Sequence, residues 1–233
     1  MSQVPDAKQA FIEIALRLLI EPRGAHNPRA YAIDEWVELA HKFVTAAPVQ
    51  IAKAALKRIG DYQLFHATEY VDRVLEPAWR SGNKEELFAK VFAPEITRRD
   101  AIGWHLRQEL GSFPFKELGV RFLVDWVSVD PKNRAHNLAD VVGPPVGRPS
   151  ELHAVLLERF DAEGVGSAFM ARFMSGTFVG SAANWTRGKL EHAKQWLSDD
   201  RPAVVDWATR VVRSLERDLE RELAREEEEP LLN

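Results

Sequence analysis

The sequence contains no cysteine, and no part of it looks like a membrane span or a nucleic-acid arm. Without thiols the chain has neither disulfides nor thiolate metal sites, so a reducing cytoplasm is the expected location. Glu13 and Arg17 interrupt the apolar run near the N-terminus, which excludes a membrane span or signal peptide there. The net charge is −4 and the basic residues are spread out, so we expect no general attraction to nucleic acid or anionic lipid.

The motifs that mark common catalytic and cofactor sites are also missing. No glycine loop ends in Lys-Ser or Lys-Thr, no dinucleotide fingerprint follows a strand, and no His-Glu-x-x-His helix is present. The seven histidines are far apart in the sequence. The segment GTFVGS has Phe178 and Val179 where a nucleophile elbow needs serine. We therefore predict a protein that is not an enzyme, with no catalytic residue, no cofactor and no metal.

Helical spacing of apolar residues runs through almost the whole chain, and strand alternation is not found. The fold class is therefore predicted as all-α, with seven tryptophans and twelve phenylalanines available for the core. Four residues give local signals: Asp34 and Asn83 are predicted helix caps, Pro48 a first helical residue, and Pro77 a kink or helix end.

The best internal break is DVVGPPVGRPSE, residues 140–151, because it concentrates glycine and proline. It divides the chain into N-terminal helical layers (1–143) and C-terminal layers (144–233), which we expect to form one continuous stack. Near the C-terminus, Val205, Ala208, Val212 and Leu215 are predicted to pack against Leu190, Ala193 and Leu197. Beyond Leu219 the apolar stripe narrows, so the end of the last helix is predicted to protrude into solvent as a charged tail.

The C-terminal helix, Asp-Pro turn and second helix beginning PAVVDWA resemble the closing unit of a HEAT or armadillo-like repeat. FAPEITRRDAIGWHLRQEL, residues 92–110, has a similar turn and charge pattern. The resemblance implies antiparallel helical pairs stacked as a short HEAT-like solenoid. An irregular helical bundle remains the alternative, because no regular repeat period is visible.

Two further resemblances bear on function. FMSGTFVGSAANW and the final helical pair are similar to the ends of large helical-repeat proteins of bacterial conflict and defence systems, which implies a short relative or fragment of such a protein, and we expect a subunit of a larger bacterial complex. AIGWHLRQ, residues 101–108, is similar to a segment of HEAT-like alkylpurine DNA glycosylases, in which the residue matching Trp104 faces the DNA backbone. The chain lacks that family's tryptophan-rich segment with paired aspartates, which puts glycosylase chemistry in doubt.

The sequence therefore predicts a non-enzymatic scaffold or adaptor that binds a protein partner. Mixed charge on the helices expected to line a curved stack suits a protein better than a phosphate backbone, which requires one sign. Nucleic-acid binding remains the alternative. The predicted partner-binding residues are Arg98, Arg99, Trp104, Arg107, Asp206, Arg210 and Arg213.

Overall fold

The computed structural model describes residue 14 and residues 31–62 and 67–228, and within these ranges the protein is helical and contains no strand. The prediction of an all-α fold is confirmed. The chain divides into two compact units, Met1–Phe113 and Pro114–Asn233. The Gly- and Pro-rich segment 140–151 therefore lies inside the second unit, and the boundary between the units falls at residue 113.

The first unit contains short helices, two of which include a π-helical turn. Its α-helices are α1 (Tyr31–Phe43), α2 (Pro48–Tyr62), α3 (Ala67–Tyr70), α4 (Glu76–Ser81), α5 (Lys84–Leu87), α6 (Ala93–Ile96) and α7 (Ala101–Glu109). The π-helical turns Val71–Leu75 and Phe88–Phe92 join α3 to α4 and α5 to α6.

The second unit is built from longer helices. They are α8 (Val120–Val129), α9 (Pro131–Val142), α10 (Glu151–Phe160), α11 (Val165–Met174), α12 (Ala182–Gln195) and α13 (Pro202–Glu228). Short 3₁₀ turns, including Asp161–Glu163 and Trp196–Ser198, connect several of them.

Local signals account for several helix starts. Pro48 is the first residue of α2, as predicted, where its missing N–H costs nothing. The Asn83 Oδ1 accepts the Glu86 N–H at 3.0 Å, which confirms the predicted cap of α5. The prediction for Asp34 is wrong, because the described part of α1 begins at Tyr31 and already includes residue 34.

The two π-helical turns share one cause, a proline two residues after each. Pro77 and Pro94 have no N–H to donate, and their rings crowd the carbonyl four residues earlier. The chain widens by one residue just before each proline: the Glu76 N–H donates to the Val71 oxygen, five residues back, and the Ala93 N–H donates likewise to Phe88. The predicted kink at Pro77 thus takes the form of a π-turn.

These two segments also repeat their burial pattern at an offset of seventeen residues. Each presents five apolar side chains to the core at matching positions. The matching pairs are Tyr70 and Leu87, Val71 and Phe88, Val74 and Val91, Leu75 and Phe92, and Trp79 and Ile96. The widened turns therefore let each of the two proline-containing helices bury an equivalent stripe of side chains.

Each unit has aromatic residues in its core. In the first unit the ring of Trp79 lies 5.7 Å from that of Phe92 and 5.3 Å from that of Phe113. In the second unit Trp196 and Trp207 stack at 4.9 Å between ring centroids. The Trp207 indole N–H donates to the Gly166 oxygen at 3.0 Å, so this buried ring keeps its polar atom satisfied.

The C-terminal pair α12 and α13 is an antiparallel hairpin that stays in contact over its length. Trp196 meets Trp207 at one end, and Ser181, at the start of α12, donates to Glu226 at 2.6 Å at the other. Most residues in the stretch beyond Leu219 that was predicted to protrude are exposed, but Glu226 contacts the start of α12. Five of the residues predicted to pack in this hairpin are buried, namely Leu190, Ala193, Ala208, Val212 and Leu215. Leu197, by contrast, is 39% exposed.

Glu226 has a physical reason to be held there. A carboxylate in the last turn of α13 lies at the unfavourable end of that helix's dipole, but it meets the favourable N-terminus of α12. It accepts the Ser181 hydroxyl proton and, at 3.3 Å, the Ala183 N–H. These two hydrogen bonds, that of Ser181 first, lower the pKa of Glu226. The acidic end of the chain thus caps the neighbouring helix.

Gly103 allows α7 to approach the turn that precedes it. A Cβ atom on residue 103 would lie 2.5 Å from both the Cβ and the carbonyl oxygen of Arg98. We expect Gly103→Ala to reduce the free energy of unfolding by about 1–3 kcal/mol, because backbone must move to relieve the overlap. Gly188→Ala is the matched control: its Cβ would meet nothing within 4 Å, so alanine should stabilise α12 by up to about 1 kcal/mol. Urea denaturation of both variants measures the difference, and equal effects would contradict this account of Gly103.

Candidate interaction surfaces

The predicted basic cluster of the first unit is largely neutralised by its own neighbours. The Arg98 guanidinium donates to the Asp100 carboxylate at 2.7 Å and to the Glu95 carboxylate at 2.9 Å. These bonds, that with Asp100 first, raise the pKa of Arg98, and the same contact lowers the pKa of Asp100. Asp100 also caps α7 by accepting the Gly103 N–H at 2.9 Å. Arg98 is therefore held in a local charge network at the start of the helix.

Arg107 does not lie on the predicted surface. Its side chain is buried, and its guanidinium donates to the carbonyl oxygens of Ile96, at 3.0 Å, and Arg98, at 2.8 Å. The helical pattern places position 107 on the inward side of α7, next to the end of α6. Arg107 thus satisfies carbonyls left without helical partners, and it is buried rather than exposed on the predicted partner-binding surface.

Trp104 and Arg99 are the members of this cluster that are available to another molecule. Trp104 is 52% exposed, and its ring meets the edge of the neighbouring His105 ring at 4.7 Å. Arg99 is also exposed. Because Gly103 and Leu106 face the core, Trp104 points outward from α7.

The outer side of α7 forms a stripe at positions i, i+3, i+4 and i+7, which we call the Trp104 stripe. It consists of Ala101, Trp104, His105 and Gln108. None of these side chains is a carboxylate, an ammonium or a guanidinium. An exposed tryptophan in a stripe without carboxylates, ammonium groups or guanidinium groups matches the enrichment of aromatic residues and the depletion of charged residues at the centre of protein interfaces.

The predicted residues of the second unit lie on α13. Asp206, Arg210 and Arg213 are all exposed. Arg210 donates to Asp161, whose other carboxylate oxygen accepts the Gly166 N–H at 2.8 Å. Arg210 therefore helps to fix the start of α11, while Asp206 and Arg213 place one charge of each sign on the surface. These residues and the Trp104 stripe belong to different units.

Sequence reasoning missed a second exposed apolar feature, the loop before α12. Phe178 is 45% exposed and stacks on Trp185 at 5.3 Å, and Val179 is fully exposed. The Lys189 ammonium lies over the Trp185 ring and donates to the Phe173 oxygen at 2.7 Å. Burial lowers the pKa of this lysine. Two glycines flanking TFV were a usable signal, because they mark a loop that exposes whatever lies between them.

A charged groove of about 430 Å³ lies between α1 and the first π-helical turn. Its lining residues are Glu38, His41, Lys42, Asp72 and Arg73. The His41 Nδ1 lies 3.1 Å from the Arg73 oxygen, the carbonyl that Pro77 leaves without its α-helical donor. The histidine therefore has a structural role in compensating for the proline.

Within the residues that the structure describes, no group of three or more His, Asp or Glu side chains is arranged to hold a metal ion. Over the same residues, no helix has both the length and the apolar character needed to cross a membrane. The chain matches no known protein-family model, and neither a curated protein nor a solved structure shows significant similarity to it.

Proposed function

We propose that the chain is a non-enzymatic helical scaffold or adaptor that binds a protein partner through the Trp104 stripe. The observation that carries the proposal is a half-exposed tryptophan on an uncharged stripe. Tryptophan is enriched among the residues that dominate the binding energy of protein interfaces. A protein partner also benefits from the mixed charges around the stripe, since complementary pairs fix its orientation.

The charge arrangement favours protein over nucleic acid. Phosphate binding needs several free cations on one surface. Arg98 is engaged with Glu95 and Asp100, and Arg107 is buried against backbone carbonyls, which leaves Arg99 as the exposed cation of the predicted cluster. The alternative functions, a HEAT-like nucleic-acid binder and a glycosylase-like enzyme, therefore receive less support.

The packing of the helical pairs and the cellular setting of the protein are part of the same proposal. We propose that the helical pairs follow HEAT-like packing, supported by the antiparallel hairpin of α12 and α13, with an irregular bundle as the alternative. We further propose a cytoplasmic subunit of a larger bacterial complex related to defence, which rests on the resemblance of the C-terminal sequence. The oligomeric state plays no part in this proposal.

Partner binding provides the first test. The chain is purified with its partner from the native source, the partner is identified by mass spectrometry, and the affinity of the two purified proteins is measured. We expect Trp104→Ser to weaken binding by at least about 30-fold, the effect of losing an interface anchor of about 2 kcal/mol. Val129→Ser removes an apolar side chain that is 75% exposed in the other unit and should leave the affinity unchanged. Equal affinity of the Trp104→Ser variant would refute the proposed surface.

Nucleic-acid binding provides a second, independent prediction. Double-stranded DNA and single-stranded RNA should bind no more tightly than about 10 μM at physiological salt, within the range of weak non-specific binding. Fluorescence anisotropy with labelled oligonucleotides at several salt concentrations measures this. Submicromolar binding that is lost in Arg98→Glu/Arg99→Glu would replace the adaptor function with the nucleic-acid alternative.

A further inference from the structure

One histidine ring contacts both ends of the segment 143–150, which joins α9 to α10. The His153 Nε2 lies 3.2 Å from the Gly143 oxygen at the start of the segment. Its Nδ1 lies 2.7 Å from the Ser150 hydroxyl and accepts the Ser150 N–H at 3.2 Å, at the end of the segment. A single imidazole therefore closes an eight-residue loop.

The sequence explains why a histidine stands at this position. Ser150 caps α10, and His153 is the third residue of the helix, where a capping box usually has Glu or Gln reaching back to the cap N–H. Here the imidazole makes that contact. Because Nδ1 must accept the Ser150 N–H while Nε2 donates to a carbonyl, the arrangement requires the neutral ring with its proton on Nε2.

The surroundings of the ring oppose a positive charge. His153 is half-buried, and its ring packs against the Phe169 ring of α11 at 5.3 Å. The charged group acting on it is Arg201, the residue just before α13, which donates to the Pro149 and Ser150 oxygens. Burial first, and then Arg201, lower the pKa of His153 to about 4, although the bond to Gly143 acts in the opposite direction.

The remaining charges nearby are Arg148 in the segment, Asp199, Asp200 and Glu151 around Arg201, and the Asp140–Arg172 pair that joins α9 and α11. The Asp199 carboxylate accepts two bonds from Arg201, both at 2.6 Å, and Arg148 lies 3.1 Å from Asp200. The Glu151 carboxylate acts on Arg201 from the start of α10. These contacts, together with the Trp196 N–H bond to the Gly147 oxygen at 2.8 Å, are not expected to change near neutral pH.

We propose that His153 is a proton-operated clasp, and that protonation expels its ring and releases the segment 143–150 from the start of α10. A proton on the His153 Nδ1 points at the Ser150 N–H, so two hydrogen-bond donors face each other. The hydrogen bond between the Ser150 N–H and Nδ1 is then lost. The segment carries the fully exposed Val146 and the exposed Arg148, and after its release from His153 it keeps the bonds from Arg201 and Trp196. The clasp is independent of the Trp104 stripe, which lies in the other unit.

Linkage gives the size and direction of the effect. In the open form the ring titrates near its ordinary pKa of 6.5, whereas in the closed form its pKa is about 4. The open form therefore binds more protons between these values, so closure is fully favoured above pH 6.5 and is progressively lost as the pH falls towards 4. Between pH 7.5 and 5 the opening equilibrium should rise by about 30-fold.

Hydrogen exchange of the Ser150 amide tests the clasp in the full chain. We expect its protection factor to fall by about 30-fold from pH 7.5 to 5, while that of Val211 in the core of α13 changes little. His153→Gln, which offers a donor and an acceptor but does not titrate, should abolish the pH dependence. An unchanged Ser150 protection factor, the same fall in His153→Gln, or a parallel fall at Val211 overturns the proposal.

A second measurement decides the matter if His153→Gln fails to fold. The ring resonances of His153 in the unaltered chain are followed by NMR over the same pH range and below it. A neutral ring protonated on Nε2, titrating near pH 4 in the closed form, supports the clasp. A pKa near 6.5 with the Ser150 contact intact refutes it, because protonation then does not oppose closure.

Discussion

Replacing Ala208 by arginine is expected to destabilise the second unit by about 3–5 kcal/mol. Ala208 is fully buried on α13, which packs against α12, so a guanidinium there must either remain buried without a partner or force neighbouring helices apart. Losses of this size are unusual for a single substitution and are tied to buried charge and overpacking. Urea or thermal denaturation measures the loss.

Asp206→Arg is the matched control for this prediction. It introduces the same side chain two residues earlier on the same helix, at an exposed position. Its free energy of unfolding should change by no more than about 0.5 kcal/mol. If Ala208→Arg is as stable as Asp206→Arg, the hairpin of α12 and α13 is not packed as described.

Replacing Arg107 by glutamate is expected to cost the first unit at least about 3 kcal/mol. The substitution removes the donors to the Ile96 and Arg98 oxygens and places a carboxylate against those carbonyls in a buried site. Unsatisfied buried carbonyls cost about 1–3 kcal/mol each, and an unpaired buried charge adds to that penalty.

Arg99→Glu is the control that distinguishes the structural role of Arg107 from the effect of reversing a charge on the surface. It makes the same change in charge at an exposed position of the same segment, so it should leave the denaturation midpoint nearly unchanged. The two arginines are thus expected to have different roles: Arg107 is needed for stability and Arg99 for partner binding. Equal stability of the two variants would show that Arg107 is not buried in solution.

The fold class was predictable from the sequence because helical periodicity depends on many apolar positions at once. The predicted cap at Asn83 and first helical residue at Pro48 also follow from local chemistry that does not depend on the rest of the fold. Pro77 indicated that the helix is interrupted near residue 77. The sequence did not show that a π-helical turn accommodates the proline, because that depends on which side chains must be buried in the core.

The candidate surface was predictable only in part, because charge type does not reveal which arginine is exposed. The sequence does not distinguish Arg107 from Arg99, but their roles differ because α7 turns Arg107 towards the Ile96 and Arg98 carbonyls, whereas Arg99, before the helix, is exposed to solvent. The contacts of the acidic residues near the end of α13 were equally hard to predict from the sequence. Glu226 looked like part of a solvated tail, yet the hairpin brings it to the N-terminus of α12, a contact between residues 45 positions apart.

The central claim, that the Trp104 stripe binds a protein, is tested most directly by crosslinking at position 104. A photoreactive diazirine side chain is placed there in the chain expressed in its native cell, with the same group at exposed position 129 as the control. The account predicts a discrete adduct from position 104 alone that protease destroys and nuclease leaves intact. An adduct that nuclease destroys, or the same adducts from both positions, would contradict it.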